Sequence, residues 1–193
     1  TNLFRKNTTM ILPIIAYGDP VLKKVGKEID KNYTQLKELI ANMEETMEHA
    51  SGVGLAAHQI GRDIRLFIID STFMMEEGEE DQGVKEVFIN AEMLEETGEE
   101  WAFEEGCLSL PDIREDVLRK DTIKIKYCDA NFKEHTKTFD GLTARVIQHE
   151  YDHIQGVLFV DYLKPLKKKL LQKRLRNISE GKIKVKYRMK FPN

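Results

Sequence analysis

Hydrophobic spacing and start and stop signals mark three helical stretches along the chain. In residues 32–50, Leu36, Leu39, Ile40, Met43, Met47 and Ala50 share one face, with acids and lysine on the other, which predicts an amphipathic helix. A second helix is expected over about 142–154, opened by Asp140-Gly141 and closed by Gly156. A third is expected over 164–179, with Pro165 as its start signal. Asp19-Pro20 reads as a turn into a short helical piece. Arg65–Asp70 (RLFIID) has the pattern of a buried strand, and Val87–Asn90 and Met93–Thr97 read as short strands. Thr122–Cys128 sets Ile123, Ile125 and Tyr127 against Lys124 and Lys126, and Phe132–Phe139 is expected to pair with it around Asp129-Ala130-Asn131. Lys182–Lys190 alternates basic residues with Ile183, Val185, Tyr187 and Met189, which predicts a terminal edge strand. The acid-rich stretch 71–86 reads as a solvated loop. The expected class is α+β: mainly antiparallel short strands packed around a central helix, with an N-terminal amphipathic helix and a C-terminal helix.

Composition adds scale. The chain has 193 residues, 41% hydrophobic and 33% charged, enough for one domain with a real core. No repeat or linker divides it. Met10 reads as a natural start, so the domain is expected over 10–193, with residues 1–9 a leader or extension. Two cysteines, Cys107 and Cys128, are too few for a disulfide scaffold. The apolar run 10–17 is broken by Pro13, and no run approaches the ~20 residues that span a bilayer. A soluble protein of a reducing compartment is expected, with neither DNA nor membrane among its partners. The net charge of −3 hides an asymmetry: residues 164–193 hold twelve Lys/Arg and one acid, Glu180. Such a segment is either a solvated face or a docking surface for RNA.

The chemistry gathers in the second predicted helix, in Gln148-His149-Glu150-Tyr151-Asp152-His153. His149 and His153 are four positions apart, on one helix face, so both imidazoles can reach one metal ion. Glu150 then stands where a general base for a metal-activated water belongs. A catalytic site of this type needs a third protein ligand. Phe159 stands where a metzincin would place its third His, which excludes that class. A thermolysin-like acid is poorly supplied downstream, by Asp161 and Glu180 alone. Upstream, Cys107 lies on a Gly-flanked, Pro-terminated loop and would complete a Cys/His/His set. It also suits a Cys–His nucleophilic pair, or plain packing. A zinc endopeptidase and a metal-stabilised binding module are the competing functional readings.

Three segments together resemble the peptide deformylase family: Gly52-Val53-Gly54-Leu55-Ala56-Ala57-His58-Gln59, Glu105-Gly106-Cys107-Leu108-Ser109, and the His149–His153 helix. The resemblance runs from about Ile14 to Leu163 and does not reach residues 164–193. It implies hydrolysis of the N-formyl group from formylmethionine at the start of new polypeptides, in the bacterial cytoplasm. It implies one divalent metal ion, Fe2+ natively, with Zn2+ or Ni2+ able to replace it. By position Cys107, His149 and His153 become ligands, Glu150 the general acid/base, and Gln59 with the Leu108 backbone N–H the oxyanion donors. Gly52, Val53, Gly54, Glu105 and Arg114 are expected along the peptide, with Leu142 and Val146 walling the methionine pocket beside Ile147. His58 receives no catalytic role. The ribosome is a further expected partner, through the basic C-terminal segment.

Overall fold

The computed structural model describes residues 9–78 and 82–192. Strand β3 (Leu66–Asp70) lies at the crossing of two cores. Its alternate side chains point to opposite faces. Leu66 and Ile68 join helix α1 (Leu36–His49) through Ile40, Met43 and Met47. Phe67 and Ile69 face helix α2 (Gly141–Ile154) through Ala144, Val146 and Ile147. A strand covered on both faces has little room for polar positions, which is why residues 66–69 are apolar without a break.

Five strands form one antiparallel sheet in the order β2 (Gly54–Ala56), β3, β4 (Lys85–Cys107), β5 (Leu110–Cys128), β6 (Glu134–Asp140). With helices α1, α2 and α3 (Pro165–Ser179), the class is α+β with a mainly antiparallel sheet. A separate parallel pair joins β1 (Ile14–Ile15) to β7 (Met189–Lys190). A third apolar cluster, with Leu110, Phe159, Leu171 and Ile178, seats α3 against β5. No helix among the described residues is long and apolar enough to cross a membrane.

Several expectations need correction. The strands are not uniformly short: Val87–Asn90 and Met93–Thr97 are parts of one 23-residue strand, β4, which runs on to Cys107. Its outer half is hidden from hydrophobic patterning because it is charged. Glu92, Glu95 and Glu100 lie opposite Lys126, Lys124 and Lys120 of β5, and this cross-strand matching replaces apolar alternation. Cys107 therefore ends a strand, and the expected loop shrinks to the two-residue turn Leu108-Ser109 before β5. Helix α1 starts at Leu36 because Gln35 takes a left-handed conformation (φ 59°), which the helix cannot pass through. Of the expected strand Lys182–Lys190, only Met189–Lys190 is strand. The alternation survives as half-buried Ile183, Val185, Tyr187 and Met189 between exposed basic residues. The 71–86 stretch contains a 3-10 turn at Thr72–Met74, and Ser71 closes its base on Val84 with Val84 N–H to Ser71 Oγ at 2.9 Å. Residues 79–81 of that stretch, and residues 1–8 of the expected leader, lie outside the described residues.

Phe88, wholly buried, stacks on Phe67 (centroids 4.7 Å) and tilts against Tyr127 (4.2 Å), joining β3, β4 and β5 beneath α2. Phe88→Ala is expected to lower the unfolding free energy by about 3–5 kcal/mol. Denaturant melts measure it, and a loss under about 1 kcal/mol would show that the stack does not hold the sheet.

Candidate active site

Helix α2 presents His149 and His153 on one face, ring centroids 5.1 Å apart. Cys107, at the end of β4, comes to them from the opposite side: its Sγ lies 3.4 Å from His153 Nε2. The three candidate ligand atoms lie within 4.8 Å of one another. Metal–ligand bonds of about 2.0–2.3 Å at tetrahedral angles set ligand atoms roughly 3.5 Å apart, so the group fits one metal ion. Beside them, Glu150 Oε2 is buried with no hydrogen-bond partner among the described residues.

His149 is oriented from behind. Its Nδ1 lies 2.9 Å from Glu105 Oε2, and because a carboxylate only accepts, Nδ1 carries the proton and Nε2 is left for a ligand role. Glu105 is itself clamped by two arginines. Arg119 donates to both its oxygens (Nε at 2.6 Å, Nη2 at 3.0 Å), and Arg145 Nη1 donates at 3.1 Å. Arg119 continues to Asp152 on the next turn of α2 at 2.8 Å. Arg145, only 2% exposed, also donates to the carbonyls of Val117 and Trp101 and lies over the Trp101 ring. Burial pushes the Glu105 carboxyl up, but hydrogen bonds from His149 and Arg119 outweigh it and hold it well below the usual carboxylate range.

The histidines diverge. Burial drives both down, but the bonds to Cys107 and Glu105 reverse this at His149 and raise it. His153 has burial and the His149 charge against it and is driven well down, leaving a neutral ring with a free lone pair. Burial also pushes Glu150 up to about 7, only partly opposed by His149. A proton at Glu150 is therefore easily gained and lost near neutrality. Space for Glu150 comes from Gly54, where a Cβ would lie 2.7 Å from the carboxylate's Cγ and Cδ.

Gln59 sits on a 3-10 turn (Ala57–Ile60) after β2. Its Oε1 accepts from Ala56 N–H at 3.0 Å, which turns its NH2 inward, to Cys107 Sγ at 3.4 Å and Ser109 Oγ at 3.3 Å. A cleft of about 790 Å3 opens over these groups. Gly52, Val53, Gly54, Glu105, Arg114 and Val146 line it with Gln59, Cys107, Leu108, His149 and Glu150. Leu142 and Ile147 do not: Ile147 is wholly buried in the sheet–helix core, and Leu142 lies two turns before the histidines, off the cleft. His58 is buried and bonded to the Lys24 carbonyl, outside the cleft.

Sequence reasoning missed the roles of Arg119 and Asp152 behind the site, and missed that Arg145 and the C-terminal residues Lys184, Val185, Lys186 and Tyr187 line the cleft. One signal was present: an arginine inside the apolar run Ala144–Ile147, four residues before His149, is costly to bury unless paired.

The family model of polypeptide deformylase matches residues 11–169. The peptide deformylase of Christiangramia forsetii is 58% identical over 191 residues, covering 95% of this chain and 97% of that one. That of Salinibacter ruber is 44% identical over 182 residues, covering 92% and 93%. Among solved structures, the Legionella pneumophila peptide deformylase is 37% identical with a TM-score of 0.77, covering 89% of this chain and 97% of that one. The Thermotoga maritima enzyme is 39% identical with a TM-score of 0.71, covering 82% and 100%. Nothing in these likenesses supports an endopeptidase. With a match over most of its length and relatives well above 30% identity, the chain belongs to the polypeptide deformylase family, metal-dependent hydrolases that remove the N-formyl group from nascent peptides.

Proposed function

We propose that residues 10–193 form one catalytic unit that hydrolyses the formamide of N-formylmethionyl peptides, with Cys107, His149 and His153 holding a single divalent metal ion. The observation that carries this reading is the meeting of those three side chains beside a buried carboxylate, Glu150, in an open cleft. The bound ion supplies Lewis acidity and makes a water nucleophilic near neutral pH. A thiolate with two imidazoles suits Fe2+, which we take as the native ion, with Zn2+ or Ni2+ as substitutes.

Glu150 removes a proton from the attacking water and delivers it to the departing amine, which leaves only when protonated. Gln59 Nε2, aimed by the Ala56 N–H bond at its other end, donates to the formyl oxygen as negative charge builds there. The Leu108 backbone N–H supplies a second donor. Each such donor is worth roughly 10²–10³ in rate. Glu105 acts through His149 rather than on the peptide, since protein partners occupy both its oxygens. The peptide lies along Gly52-Val53-Gly54, whose strand β2 is an outer strand of the sheet with room for an added chain. Val146 and Arg114 face that chain across the cleft. The exposed lysines of α3 are the surface for ribosomal RNA, and the enzyme works in the bacterial cytoplasm.

Incubation of the metal-loaded chain with a formyl-Met peptide is expected to release formate stoichiometrically with free amine; internal peptide cleavage instead would overturn the reading. Glu150→Ala is expected to keep its metal and lose nearly all turnover. Cys107→Ser is expected to weaken or change metal binding, as read by metal analysis after dialysis. Glu105→Gln removes the charge that orients His149 and is expected to lower metal affinity about 10–100-fold. Chelator competition measures it, and unchanged affinity would sink the orienting role. Ribosome binding is expected to fall steeply with salt and with Lys169→Glu/Lys173→Glu; salt-insensitive or absent sedimentation with ribosomes would remove that partner.

A further inference from the structure

The turn Leu108-Ser109 carries more responsibility than any other two residues of the site. It follows Cys107 directly and holds the proposed backbone donor. Leu108 packs on the first cluster and Ser109 is wholly buried. Packing fixes where the turn sits, and hydrogen bonds fix which way its backbone groups point. Gln59 reaches the Ser109 hydroxyl, and the Tyr17 N–H donates to the Ser109 carbonyl at 2.9 Å. The third restraint is the Tyr187 hydroxyl, which donates to the Leu108 carbonyl at 2.7 Å.

Tyr187 belongs to a segment beyond the residues matched by the family model. After α3 the chain turns at Gly181 (φ 69°) and runs back across the molecule as a strap. Ile183, Met189 and Phe191 pack on the third cluster, while Tyr187 and Met189 pack on the first. Its far end is tied to β1 by Ile14 N–H to Arg188 O and Ala16 N–H to Lys190 O, both at 2.9 Å. Between these anchors, Lys184, Val185, Lys186 and Tyr187 form a wall of the cleft. The tyrosine is thus held at both sides, and its hydroxyl is not a loose surface group.

We infer that Tyr187 is a positioning residue for deformylation: its hydroxyl fixes the Leu108 carbonyl and so holds the Leu108 N–H, across the same Cα, at the place where the formyl oxygen gains charge. This inference rests on the deformylase reading of the site. A hydrogen-bond donor contributes to the rate only when it is already aimed at the developing oxyanion, and small misplacements are costly. Since the donor acts on charge that appears in the transition state, its loss affects kcat rather than KM.

Tyr187→Phe deletes the hydroxyl and keeps the ring. Formate release per bound metal is expected to show kcat reduced about three- to tenfold, with KM within about twofold of wild type. Hydrogen–deuterium exchange is expected to speed up in the segment 106–111 while the core strands keep their protection. Wild-type kcat, or unchanged exchange in that segment, would overturn the inference. So would a fall in kcat that tracks lost metal or a general rise in exchange, since that marks a merely structural role. A wild-type chain that releases no formate overturns the deformylase reading itself, and this inference with it.

Discussion

One buried carboxylate organises the site. Glu105 accepts from Arg119, Arg145 and His149 at once, so a strand end, the neighbouring strand and helix α2 share a single anion. Removing one partner from such a group strands an uncompensated charge and costs about 3–5 kcal/mol, although an apolar replacement of the whole set is often neutral. The network is therefore poorly explained as a source of stability. It is well explained as a source of position: its bonds fix which His149 nitrogen is protonated, where the ring points, and how α2 is rotated against β5.

The long hairpin of β4 and β5 makes that arrangement possible. Glu105 and Cys107 are two residues apart at the end of β4, where the pairing with β5 shifts register between Gly106 and Cys107. The first turns back to the arginines and the second reaches the histidines. Arg119 comes from β5, whose pairing opposite Trp101 places it within reach. The charged outer half of the hairpin is a different matter. Its exposed pairs, such as Lys124–Glu95 at 3.4 Å, are individually weak and serve mainly to match the strands in register.

What could be read from the chain follows from how local each signal is. The spacing of His149 and His153, the glycines before Gln59 and the amphipathic faces of α1 and α2 are short-range patterns. The Glu105–Arg119–Arg145 cluster joins positions spread over some forty residues, through a strand pairing that no single-segment pattern contains. The length of β4 was hidden for the opposite reason. Its outer half is charged and carries no apolar alternation, and its glutamates find their match only when Lys120, Lys124 and Lys126 are set against them. The terminal alternation of Lys182–Lys190 was visible, but not its destination: it pairs only briefly with β1 and otherwise runs as a wall.

The pairing of β1 with β7 has a further consequence. It ties Ile14 to Met189, nearly the full described length of chain apart. Closing so long a loop costs entropy, but the cost grows only slowly with length, so a short two-residue pairing helped by apolar packing can hold it. The wall of the cleft that bears Tyr187 therefore stands only while the two ends of the described chain stay joined, and a loosening at either end is felt at the mouth of the site.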